Sequence, residues 1–226
     1  MSYTFTLLGN NSTIIYPFNL PNVLDEDSEY VLSLINFEVY NAILNIENNK
    51  FYIGSQIIPI PEGSYAVDDI NKFLSTKLET GNQLEITANN NTLKCEITSN
   101  KEIDFDPSDS LGSILGFKPQ KLKANISHES DNPVSIIRVN AICIECSLTT
   151  NSYSNSKNVH ILHEFFPRVP PGFKIIESPN QIIYLPINAR VINNITLKIV
   201  DQDGNLINFR GEVITVSLHL KKQDGA

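Results

Sequence analysis

The stretch "ITLKIVDQDGNLINFRGEVITVSLHLKK" (195–222) decides the fold class. In its second half Ile214, Val216, Leu218 and Leu220 alternate with Thr215, Ser217, His219 and Lys221. Successive side chains of a strand point to opposite faces, so this pattern predicts an antiparallel strand with one dry face and one wet face. The first half alternates in the same way. Asp203-Gly204 between the halves is turn chemistry, and the expectation is a β-hairpin near the end of the chain.

The same period of two recurs outward from this stretch. Strands are predicted over 29–40, 50–60, 83–88, 92–98, 134–149, 158–165 and 181–187, separated by turn-forming residues. Segment 83–98 reads as a hairpin turned by Asn89, Asn90 and Asn91, because asparagine tolerates the left-handed backbone of such turns. Two helices interrupt the strands. The first, at about 65–79, carries Val67, Ile70, Phe73, Leu74 and Leu78 at helical spacing, with Ser64 as its expected cap and Asp68 and Asp69 in its first turn. The second is short, at about 107–115, opened by Asp106 and Pro107 and closed by Gly116. Many strands and few helices predict an all-β sandwich of the Greek-key or jelly-roll kind. No Gly/Ser linker or shift in composition divides the chain, so a single domain over 1–226 is expected, with the Pro-rich stretch 165–179 crossing between sheets.

Bulk composition narrows the function. Hydrophobic residues at 41% and charged residues at 19% suit a folded chain with a real core. A net charge of −8 opposes sequence-independent binding to a phosphate backbone, which needs an excess of Lys and Arg. Lys118, Lys121 and Lys123 do cluster, and the simpler reading is a solvated loop. No run approaches the roughly 18 apolar residues of a membrane-spanning helix. The N-terminal residues lack a basic start, an apolar block and a cleavage site, so the chain is expected to fold inside a cell and not to be secreted. Three cysteines, an odd number, agree with a reducing compartment.

Four clusters invite a chemical reading and each has a simpler one. Cys143-Ile-Glu-Cys146 has the spacing of a zinc or redox pair, but residues three apart in a strand face opposite ways. His160 and His163 of "HILHE" diverge for the same reason, and the order of residues is not that of a metalloprotease helix. Asp201, Asp203 and Asn205 start like a calcium loop with Glu212 at position 12, but strands and not helices flank it. Asp104, Asp106 and Asp109 are accounted for by capping and solvating a helix start. Motifs for a nucleophile elbow, a P-loop or a dinucleotide fold are missing. The expectation is therefore a protein that is not an enzyme, with no cofactor, no metal and no evident nucleic-acid site.

Three blocks carry a resemblance: "IPIPEGSYAVDDINKFLSTKL" (58–78), "SLGSILGF" (110–117), and the segments "PPGFKIIESPNQIIYLPIN" and "NNITLKIVDQDGNLINFRGEVITVSLHLK" within 170–221. Together they resemble the minor capsid (penton) protein of Polinton/Maverick elements and, more distantly, the virophage pentons. The resemblance implies a single jelly roll of eight main strands. It also implies a homopentamer at each icosahedral vertex, a double jelly-roll major capsid protein around it, and a virion capsid location. Synthesis would be in the host cytoplasm, with assembly there or in the nucleus. At this length little beyond the jelly roll and its helices is expected, so no separate outer domain.

A closed ring needs one side of each subunit to meet a different side of its neighbour, and such interfaces carry aromatic anchors. The candidate interface is Phe165, Phe166, Arg168 and Phe173 together with the loop around Tyr153. The competing reading packs these aromatics over one end of their own sandwich. The alternative function is a carbohydrate- or receptor-binding jelly-roll module, including one domesticated by a host.

Overall fold

The computed structural model describes residues 2–223 apart from Glu26, 150–151, 155–156 and Asn188; for 18–23, 152–154 and 157–159 it describes the backbone alone. Where one domain over 1–226 is expected, the chain forms two compact units. One comprises Met1–Ile43 and Val139–Ala226, and the other is Leu44–Arg138, inserted into the first. Each has its own apolar core, which is the physical reason they separate.

The first unit is a sandwich of two antiparallel sheets. One has the strand order Ser2–Gly9, Ile214–Lys222, Tyr30–Tyr40, Lys174–Glu177, with the short strand Leu185–Pro186 on the other end of Tyr30–Tyr40. The second runs Ile161–Phe165, Ile142–Cys146, Val191–Val200, Thr13–Val23. Apart from the short Leu185–Pro186, four strands in each sheet, eight in all and in this order, are a jelly roll. The inward faces interdigitate: Leu7, Leu32, Leu34, Phe37, Val216 and Leu218 from one sheet meet Ile142, Ile144, Ile195, Leu197 and Ile199 from the other, all nearly or fully buried.

The closing segment departs from its expected form. Val191–Val200 and Ile214–Lys222 are both strands, but they lie in opposite sheets and do not pair as a hairpin. Asp201–Gly204 does turn tightly: the Gly204 N–H donates to the Asp201 carbonyl at 3.1 Å, and Gly204 takes φ +83°. The chain then drives Ile207 and Phe209 into the sandwich before reaching the second strand. A hairpin tip would leave both in water, and their burial is the reason the strands diverge.

Other expected strands are shortened. Segment 134–149 is a strand only at Ile142–Cys146, and 181–187 only at Leu185–Pro186. Segment 158–165 is split into Lys157–Val159 and Ile161–Phe165.

The inserted unit holds a three-stranded sheet, ordered Ser127–Glu129, Lys94–Ser99, Leu84–Asn89. It also holds a four-stranded sheet ordered Gln56–Pro59, Lys50–Ile53, Ile103–Asp104, Lys121–Leu122. The 83–98 hairpin is found, with Leu84 opposite Ser99 and Asn89 opposite Lys94. The 50–60 run folds back on itself, because Gly54 at φ +56° turns it into two paired strands.

The helix is Val67–Lys77, with Val67, Ile70 and Leu74 buried. Its N-cap is Ala66 and not Ser64, and the Asp69 carboxylate accepts the Ala66 N–H at 3.1 Å. The short helix expected at 107–115 is a run of turns. Its backbone is claimed elsewhere: the Lys50 N–H donates to the Asp109 carbonyl at 2.8 Å and the Leu111 N–H to the Lys50 carbonyl at 3.1 Å. A helix cannot form through groups already paired with a strand.

Candidate functional site

The four chemical clusters of the sequence resolve into structural roles. Cys146 lies in the sandwich core and Cys143 does not, as the alternation of the strand requires. Burial pushes both thiols up to about 11, and Cys95 in the inserted unit up to about 12. His160 donates from Nδ1 to the Thr149 carbonyl at 2.7 Å, whereas His163 meets the Glu177 carboxylate, so the two imidazoles serve separate contacts.

Asp201 turns its carboxylate on its own loop. Oδ1 accepts the N–H groups of Asp203 and Asn205, both at 2.9 Å, and Oδ2 accepts the Asn205 amide. The aspartates of 104–109 do not cap a helix. Asp104 pairs with Lys121 at 3.1 Å, and Asp109 pairs with Lys50 at 2.9 Å and accepts the Tyr52 hydroxyl at 2.7 Å. Among the described residues no group of three or more His, Cys, Asp or Glu side chains gathers to hold a metal, and no helix is long and apolar enough to cross a membrane.

Four of the predicted interface residues lie on or beside the loop 166–173 of the sandwich unit. The turn Pro170–Phe173 is built by its sequence: the Phe173 N–H donates to the Pro170 carbonyl at 3.3 Å, and Gly172 supplies φ +83°, the left-handed third position of such a turn. Asn41, buried at the end of Tyr30–Tyr40, clamps the loop at three points. Its amide donates to the Val169 carbonyl at 2.8 Å, its N–H to the Phe173 carbonyl at 2.8 Å, and its carbonyl accepts the Gly172 N–H at 2.8 Å.

The predicted site residues divide on this scaffold. Phe166 and Phe173 are 62% and 63% exposed, and Arg168 is exposed between them. Phe165 is not on the surface. It is buried in the sandwich, its ring 5.3 Å from that of Phe37 and stacked at 5.9 Å on His163. The reason is strand alternation: of two adjacent phenylalanines at a strand end, one must face in. Tyr153 lies in the strand Ser152–Ser154, whose side chains are outside the described set.

Tyr40 at the end of Tyr30–Tyr40 and Ile176 on the edge strand beside it are exposed next to the loop and extend the apolar patch, and sequence reading did not find them. Each interrupts a polar face with one apolar residue, a pattern visible only once the register is known. Between them Lys174 pairs with Glu38, which holds the Glu38 carboxyl below its usual range and raises Lys174.

No protein-family model matches the sequence, and no curated protein matches it. Among solved structures the chain is similar to the mavirus penton protein, with a TM-score of 0.52 and 14% sequence identity over 98% of this chain and 99% of that one. The likeness is one of fold, and its coverage takes in the inserted unit as well as the sandwich.

Proposed function

We propose that the chain is a structural minor capsid protein, a penton. In this reading five copies close a ring at the icosahedral vertex of a Polinton/Maverick-type or virophage-like particle, beside a double jelly-roll major capsid protein. The observation that carries the reading is the eight-strand jelly roll with an inserted unit, matched end to end by a penton structure. The exposed Phe166, Arg168 and Phe173, on a loop hydrogen-bonded to Asn41, supply the aromatic and arginine anchors that subunit interfaces favour. Its place is the virion shell, after synthesis in the host cell, and its role needs no catalytic step. Size-exclusion chromatography with light scattering over a wide concentration range tests this. A species of five subunits is expected; a monomer at every concentration would refute the reading.

A second reading rests on the inserted unit, which carries an open polar depression of about 410 Å³ lined by Asn48, Asn49, Ser108, Asp109, Ser135 and Arg138. Such a surface fits the hydroxyls of a glycan on a host receptor. Binding on a glycan array that is lost in Asn49→Ala would support it, and an array without signal would remove it.

A further inference from the structure

If the loop 166–173 is one half of an interface, as the penton reading has it, the strand register offers a place for the other. Leu8 lies opposite Thr215, Thr215 opposite Glu38, and Glu38 opposite Ile176, so these four residues form one row across the first sheet. Residues directly opposite share a face. Leu8 and Ile176 therefore stand at the same level on the two lateral edges of the sandwich, and both are exposed, at 62% and 61%. In the second sheet Glu164 and Val200 flank Cys143 in one row, so the loops that follow, 166–173 and 201–213, leave from the same end.

Around Leu8 the second surface is ordered. The Ile199 N–H donates to the Ser12 carbonyl at 2.7 Å and the Ser12 hydroxyl donates to the Ile207 carbonyl, tying the first turn of the chain to the loop 201–213. That loop exposes Leu206 and Val213.

The charges of the two surfaces are opposite. Arg168 stands on the first with no carboxylate partner among the described residues. The second carries Asp201, Asp203 and Glu212 against Arg210, and Asp203 and Glu212 have no cationic partner among the described residues.

We infer that the apolar, acidic surface formed by Leu8, Leu206, Val213, Asp203 and Glu212 receives the Phe166–Arg168–Phe173 loop of a second copy of this chain. Two different patches at one level on opposite sides make a heterologous contact, the kind that closes into a ring when the rotation fits. Opposite charges left unpaired within each copy set the register between copies. The inference rests on the reading of the chain as a self-assembling penton.

The test uses the full chain and two sets of variants. Arg168→Glu should raise the concentration of half-assembly about tenfold or more, as should Asp203→Lys with Glu212→Lys. Combining all three substitutions should restore assembly, with circular dichroism unchanged throughout. The three native cysteines are buried, so single cysteines can be placed cleanly. A Phe173→Cys/Val213→Cys chain treated with a short bismaleimide should give a ladder ending in one closed species, while each single variant stays uncross-linked. Single variants that cross-link to dimers would show a two-fold contact and overturn the inference. So would a wild-type pentamer untouched by the charge reversals, an outcome that leaves the penton reading standing. A wild-type chain monomeric at every concentration removes both.

Discussion

His163 and Glu177 meet at 3.0 Å across the gap between the two sheets of the sandwich, each side chain about four-fifths buried. His163 comes from the edge strand of one sheet and Glu177 from the edge strand of the other, so the contact stitches the open side beneath the loop 166–173. Phe165 stacks on the imidazole and continues the stitch into the core. Glu177→Ala removes the hydrogen bond and leaves a half-buried imidazole without it. The expected loss is about 1–2 kcal/mol of unfolding free energy, read by urea denaturation. A loss within about 0.3 kcal/mol would mean that packing alone closes this side.

Asn41 is expected to govern the same loop from the other direction. In Asn41→Ala the Val169 carbonyl loses its donor, while the two backbone bonds between residue 41 and the turn survive. The loop should loosen without unfolding the sandwich. Faster amide hydrogen exchange at 166–173, with unchanged exchange in Ile214–Lys222, is the outcome that checks this.

The three thiols offer a sharp negative result. Burial holds Cys95 at about 12 and Cys143 and Cys146 at about 11, and the thiolate is the reactive form. At pH 8 the native chain should take up less than about one tenth of an equivalent of a thiol reagent such as Ellman's within minutes, and the denatured chain all three equivalents. Rapid labelling of Cys143 or Cys146 in the folded state would contradict the strand geometry.

Two glycines with left-handed backbones should respond very differently to alanine. At Gly172, φ +83°, an added Cβ meets nothing within 4 Å, so only the backbone preference opposes it, about 1–2 kcal/mol. At Gly116, φ +84°, the same Cβ would sit 2.2 Å from the Asn132 carbonyl oxygen, a backbone atom that accepts the Ser130 hydroxyl at 2.7 Å and cannot swing away as a side chain could. Adding an overpacking cost of about 1–3 kcal/mol, Gly116→Ala should exceed Gly172→Ala by at least that margin in thermal unfolding. Equal effects would show that the turn at Gly116 is free to shift.

Much of this architecture was legible in the residues because alternation is local. The strand Ile214–Lys222, the hairpin of 83–98 and the helix at Val67–Lys77 each announce themselves within a dozen positions. What alternation reports is which face is dry, not which strand lies alongside. Val191–Val200 and Ile214–Lys222 thus read as a hairpin although they occupy opposite sheets. The clue lay between them, in Ile207 and Phe209, two apolar residues in a segment that a hairpin would have left wet.

Ser2–Gly9 and Thr13–Val23 were not among the predicted strands; the second carries Pro17 and Pro21 within its run, and proline inside an alternating run weakens a strand reading. The inserted unit was hidden by uniform composition: nothing at Ile43 or Arg138 resembles a linker. At the candidate site the sequence singled out the loop, but only packing could say that Phe165 faces inward and Phe166 outward.

Asp109 links acid and base behaviour in the inserted unit. Hydrogen bonds from Lys50 first and then Tyr52 hold its carboxyl below the ordinary aspartate value of 3.8, while Asp109 in turn raises Lys50 above 10.5 and Tyr52 above 10.0. A lowered carboxylate contributes stability above its unfolded value, and that contribution is lost as pH falls through the folded value. Raised Lys and Tyr groups contribute below their unfolded values and lose it as pH rises through the folded ones. Stability of the unit should therefore form a plateau from about pH 5 to 9 and decline on both sides. All three groups are partly open to solvent, so the effect should shrink in high salt. Asp109→Asn removes the shared partner, and its stability measured by chemical denaturation between pH 2.5 and 11 should vary less than that of the wild type at both ends. A variant profile that keeps the wild-type slope at both extremes would mean that other groups dominate the titration.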